Sequence, residues 1–74
     1  MARIEVISEV AGTVWKCETT VGDQLDDGAV VLILESMKME IPVEAPAAGR
    51  LVELLVGEGD AVAEEQVVAV IEPL

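Results

Sequence analysis

V-V-L-I-L-E, residues 30 to 35, returns as V-V-A-V-I-E, residues 67 to 72, thirty-seven positions later. Thirty-seven is half of the 74-residue chain, and the whole sequence shifted by that amount falls on itself without a gap. Ala11-Gly12 meets Ala48-Gly49, and Gly22-Asp23 meets Gly59-Asp60. Apolar positions agree as well: Ile4 with Ile41, Val6 with Val43, Val14 with Leu51, Leu25 with Val62. Two copies of one supersecondary unit account for the match.

The unit reads as strands. Short stretches of Val, Ile, Leu and Thr are broken by Gly, Pro and Asp-Gly at intervals too close for a packed helix, which needs ten or more periodic residues between breakers. The pattern predicts strands over 3–7, 12–19, 29–36, 39–44, 49–56 and 67–72, with short pairings around Leu25 and Val62. Neither half is long enough to bury an apolar face alone. The two are therefore expected to pack about a pseudo-twofold axis as two antiparallel sheets in an all-β flattened barrel or sandwich. Such an axis superposes the chain midpoint on the point where the termini would join, which predicts termini side by side at one end and Lys38 at the other.

A chain of this length makes one domain, residues 1–74, with a thin core. Trp15 is its single aromatic, so that core must be aliphatic. Trp15 and Cys17 fall on the second strand, where packing is the expected role of each. Cys17 has no partner for an internal disulfide, which fits a reducing cytoplasm. No signal-peptide core opens the sequence, and the longest apolar run, Ala29 to Leu34, is too short for a membrane helix. Fifteen acidic residues against four basic ones give a net charge of −11, which repels nucleic acid and anionic membrane alike and favours a monomer.

The midpoint carries E-S-M-K-M-E, residues 35 to 40. With no Gly or Pro between two strands, Met37-Lys38 reads as the centre of a two-residue hairpin turn, a place that favours Asn-Gly or Asp-Gly because φ is positive there. A local violation of that kind tends to mark function. Met37 and Met39 would be adaptable apolar surface at the tip, or else ordinary filling of a sandwich end. Glu35 and Glu40 have a plain reading as charges that deter edge pairing.

Lys38 is not a self-sufficient catalyst. A free lysine has a pKa of about 10.4, leaving roughly one amine in a thousand or fewer uncharged at neutral pH, and correcting that takes burial or nearby cations. An exposed tip beside two glutamates offers neither. The sequence has no His and no Tyr, and Cys17 has no base to activate it. The acidic turn at residues 23 to 28 fails as a calcium loop, because Leu25 and Leu34 occupy ligand positions. Gly57 and Gly59 open no dinucleotide motif. These residues contain no catalytic or metal site, and what remains is a lysine presented for chemistry done by another protein.

At this stretch a family resemblance becomes specific. E-S-M-K-M-E-I-P resembles the Met-Lys-Met attachment motif of biotinyl domains. The flanks agree: G-T-V and V-G-D precede it, and A-P-A-A-G and a second G-D turn follow, so the likeness runs from about Ile4 to Glu72. It is similar in character to the free-standing single-domain biotin/lipoyl attachment proteins of bacteria. The resemblance implies two four-stranded sheets and biotin on Lys38, attached through an amide by biotin protein ligase, with Met37 and Met39 as flanking recognition residues and Glu35, Ser36 and Glu40 as hairpin context. It implies a carrier, not an enzyme, that shuttles carboxybiotin between the active sites of an acyl-CoA or 2-oxo-acid carboxylase.

Three departures shape that expectation. Ser36 stands where Ala is common. No Pro/Ala-rich linker precedes the hairpin, so carboxylase subunits are expected on separate chains. No thumb-like insertion interrupts the early strands. Lipoyl domains usually place Asp before the lysine and Ala after it, so the methionines favour biotin, with lipoate the alternative. A third reading is an unmodified interaction module that docks through its methionines.

Overall fold

A computed structural model describes residues 2–74 and contains, among them, eight strands: β1 (Ile4–Ile7), β2 (Gly12–Cys17), β3 (Gln24–Leu25), β4 (Val30–Ser36), β5 (Met39–Glu44), β6 (Gly49–Leu54), β7 (Ala61–Val62) and β8 (Val67–Pro73). They form two four-stranded antiparallel sheets, ordered β1-β8-β6-β3 and β5-β4-β2-β7. Adding thirty-seven to the residue numbers carries one order onto the other. The sheets do not divide the halves between them: each takes two strands from each half. Neither half can therefore close a sheet without the other.

The repeat extends to irregularities. The β2–β4 ladder slips between Val14 and Lys16, and the β6–β8 ladder slips between Leu51 and Glu53, so Trp15 and Val52 are equivalent bulge residues. An extra residue breaks the in–out alternation of the strand. Val14 points into the core, whereas Trp15 and Lys16 both face outward, and Trp15 is 50% exposed. Core packing, the role expected of Trp15 from the sequence, is not the one it has. Cys17 is half-buried and packs against the core.

Six symmetry-related pairs make up most of that core: Val6 and Val43, Val14 and Leu51, Leu25 and Val62, Val31 and Val68, Leu32 and Ala69, Leu34 and Ile71. All are aliphatic, as the composition requires. Ser8 is the buried polar residue of the set, in the place of Ala45 in the other half. Its hydroxyl donates to the Val10 carbonyl at 2.6 Å, so burial leaves no polar atom unsatisfied.

Observed strands end earlier than the sequence suggested at two equivalent places, Cys17 rather than 19 and Leu54 rather than 56. Beyond them the chain stays tied to the sheet by single bonds, Glu18 N–H to the Val31 carbonyl and Leu55 N–H to that of Val68. Thr19 Oγ1 donates to the same Val31 carbonyl in place of a ladder bond. The following turns are closed by an aspartate in each half. Asp23 accepts from Thr20 N–H at 2.9 Å and Asp60 from Gly57 N–H at 2.8 Å.

The register fixes the two ends. Ile4 pairs with Ile71, which brings the terminal strands side by side. Gly12, at the start of β2, lies against Glu35 and Ser36 at the foot of the β4–β5 hairpin. Ten residues on, Gly22 and Asp23 bond to Leu51, itself the partner of Ile71. β2 thus runs from the lysine hairpin toward the terminal end, along a molecule measuring 36 × 19 × 18 Å.

Candidate functional site

β4 and β5 are joined by two residues only. Ser36 pairs with Met39 across the ladder, so Met37 and Lys38 are the turn. Their φ angles are +51° and +64°, the backbone of a type I′ turn. The right-handed twist of the strands demands this turn, and two residues with Cβ atoms adopt it at a cost of about 1–3 kcal/mol each. The strain is borne by a long, well-bonded strand pair with a fully buried Leu34 on one side.

The side chains at the tip stand clear of the protein. Met37 is 92% exposed, Met39 is 65% exposed, and Lys38 is exposed between them. The methionines therefore form surface and do not fill the sandwich end. Three of the four basic residues are held in ion pairs: Arg3 with Glu53 at 3.2 Å, Lys16 with Glu18 at 3.4 Å, and Arg50 with Glu72 at 3.9 Å. Lys38 has no carboxylate within 4.0 Å among the described residues, although Glu35 and Glu40 are its near neighbours in sequence. Those two face each other across β4 and β5, and Thr13 of β2 continues the row. Ser36 is half-buried beneath the turn.

The seat of the hairpin is a residue whose role the sequence did not disclose. A Cβ on Gly12 would lie 2.7 Å from the Glu35 carbonyl oxygen, so only glycine lets β2 run this close under the end of β4. Gly49 repeats the arrangement at the other end, where its Cβ would collide with the Glu72 carbonyl. The signal was present as Ala-Gly at both 11–12 and 48–49, but a repeat alone does not say what the glycine touches.

Burial, and then the negative charges of Glu58 and Asp60, push the Cys17 thiol above its usual range, which disfavours the thiolate needed for nucleophilic work. A groove of about 370 Å³ runs between the edge strands β1 and β5, lined by residues such as Ile7, Glu9, Pro42 and Pro46, and none of residues 35 to 40 borders it. The tip is a presented amine on a rigid support, flanked by apolar, adaptable surface.

Comparison with known proteins places this arrangement. The family model described as "Biotin-requiring enzyme", Biotin_lipoyl, matches residues 2–71. The chain belongs to the biotin/lipoyl attachment family. It is 48% identical over 59 residues to the Biotin/lipoyl attachment protein of Bacillus subtilis, covering 80% of this chain and 81% of that one. It is 40% identical over 67 residues to the Biotinylated protein TB7.3 homolog of Mycobacterium leprae, covering 90% and 94%. Urea amidolyase of Saccharomyces cerevisiae is 42% identical over 69 residues, but the attachment-family chain spans only 4% of its length.

Solved structures agree. Urea carboxylase of Kluyveromyces lactis contains a segment that superposes with a TM-score of 0.92 at 36% identity, covering 97% of this chain and 6% of that one. A single-chain, multi-domain long-chain acyl-CoA carboxylase does so with a TM-score of 0.90 at 30% identity, covering 97% and 7%. The attachment-family chain is thus homologous to one domain of each of these much longer carboxylases. It is a carrier module by kinship, with the two-sheet, pseudo-symmetric fold expected from its repeat.

Proposed function

We propose that this protein is a biotin carrier in which Lys38 is the attachment residue and biotin protein ligase the enzyme that modifies it. The observation that carries the reading is the state of Lys38: exposed on a rigid type I′ turn and the one basic residue outside an ion pair among the described residues. In the ligase, Lys38 Nζ gives up a proton, attacks the activated carboxyl carbon of biotinyl-adenylate, and is left in an amide as AMP departs. Attached there, biotin supplies a ring nitrogen able to carry a carboxyl group between active sites. The chain's own residues supply reach and position: the lysine stem extends the cofactor, the hairpin fixes its root, and Met37 and Met39 give the ligase an apolar surface to recognise.

Homology to domains of a urea carboxylase and an acyl-CoA carboxylase supports carboxylase subunits as the partners that load and unload the carrier. A net charge of −11 supports a monomer in solution.

Intact mass of the protein from its native cells tests the reading, since a biotinyl adduct, a lipoyl adduct and the bare chain differ in mass. A biotin adduct that binds avidin and vanishes in Lys38→Arg is expected. Protein with neither adduct nor avidin binding, in cells whose other biotinylated proteins carry theirs, would overturn it. Modification that survives in Lys38→Arg would move the site to Lys16.

A further inference from the structure

Beside the lysine stand two side chains with a chemistry of their own. Met37 and Met39 hold the only thioethers among the described residues; both are largely exposed, and neither belongs to the core. Thioethers are oxidised by hydroperoxides. The sulfur lone pair attacks one peroxide oxygen, the O–O bond breaks, and two electrons pass from sulfur to oxygen. The transferred oxygen's proton goes to the departing hydroxide, which leaves as water. The product, a sulfoxide, is polar where the thioether was apolar, and dedicated reductases reverse it.

The structure separates this site from the rest of the molecule. Cys17, the other oxidisable sulfur, is half-buried, and its thiolate is disfavoured by burial and by Glu58 and Asp60. The fold draws nothing from the methionine side chains, so their oxidation changes the tip without unfolding the sandwich. Any partner that reads an apolar tip must strip water from two strong acceptors once they are sulfoxides, and it has no donor waiting for them.

We propose that Met37 and Met39 are a reversible oxidation site that gates cofactor attachment: as thioethers they admit the ligase to Lys38, and as sulfoxides they exclude it. The gate rests on the reading of Lys38 as the attachment residue. It acts on the unmodified protein, because oxidation breaks no amide already made.

The test treats the purified unmodified protein with dilute hydrogen peroxide, removes the peroxide with catalase, and measures the rate of biotin transfer by a biotin protein ligase. Peptide mass mapping is expected to find the added oxygens on Met37 and Met39 ahead of Cys17. The rate is expected to fall about tenfold, by the cost of burying an unpaired polar group, and to return after treatment with both methionine sulfoxide reductases. In Met37→Leu/Met39→Leu, whatever its starting rate, peroxide should change nothing. Equal rates before and after oxidation overturn the gate alone. A loss that persists in the leucine variant, or that the reductases do not repair, assigns the effect to another residue and also overturns it. Failure of the unoxidised protein to accept biotin overturns the Lys38 reading and the gate with it.

Discussion

Glu35 and Glu40 stand directly opposite each other on β4 and β5, one residue pair below the turn that carries Lys38. Because Ser36 and Met39 close the two-residue turn as a hydrogen-bonded pair, the glutamates occupy a non-hydrogen-bonded pair, where side chains come closest. Two like charges there oppose folding. Glu40→Gln is expected to stabilise the protein by about 0.5 kcal/mol in low salt. Urea unfolding at low and high ionic strength checks this, and the gain should shrink as salt screens the repulsion.

Strain in the turn leads to a related expectation. Met37→Gly removes the Cβ that resists positive φ and should raise stability by about 1 kcal/mol, read as a higher urea midpoint. Biotin transfer to the same variant should slow, because a contact surface that is 92% exposed is lost. A variant that is both more stable and better modified would show that Met37 is not a recognition residue.

The two close-approach glycines separate positioning from stability. Gly12→Ala and Gly49→Ala each drive a Cβ into a main-chain carbonyl, and each should cost about 2–3 kcal/mol, within the usual range for forced backbone shifts. Only Gly12 lies under the lysine hairpin. Transfer rates measured where both variants remain folded should therefore fall for Gly12→Ala and hold for Gly49→Ala, and amide shifts should move at residues 35 to 40 only in the former.

In the core, Leu34→Ala should cost about 2–5 kcal/mol, because Leu34 is fully buried and its truncation leaves a cavity that its surroundings fill only in part. Thermal or urea unfolding measures it directly. Its symmetry mate, Ile71, is equally buried and should respond by a similar amount on truncation to alanine.

Cys17 yields a pH prediction. Its folded thiol lies above the ordinary range, through burial first and then Glu58 and Asp60. The neutral thiol is the form the fold prefers, so this stabilisation is complete below the unfolded thiol's pKa and is lost as pH rises through the folded value. Alkylation rates against pH should give a midpoint for the native protein above that of the urea-unfolded chain, and Glu58→Gln should lower the native midpoint.

Much of this was legible in the chain. A shift of thirty-seven residues exposed the pseudo-twofold, and with it the place of Lys38 opposite the termini and the aliphatic pairs of the core. The E-S-M-K-M-E stretch marked the candidate site because a turn without Asn or Gly, between two strands, breaks a local rule.

Strand pairing was not legible to the same degree. A repeat shows that two halves are alike, yet it does not say whether each makes its own sheet or both share two. That choice rests on contacts between residues far apart in sequence, such as Gly12 against Glu35 and Leu51 against Ile71. Trp15 turned outward for the same reason, since a bulge exists only relative to the partner strand it slips against. The sequence by itself determined that a doubled β unit holds a lysine at its midpoint, because periodicity and turn chemistry are local. Only the tertiary structure decided that this lysine alone, among the basic residues described, stands outside an ion pair, because the partners of Arg3 and Arg50, Glu53 and Glu72, lie far along the chain and reach them only in the folded sheet.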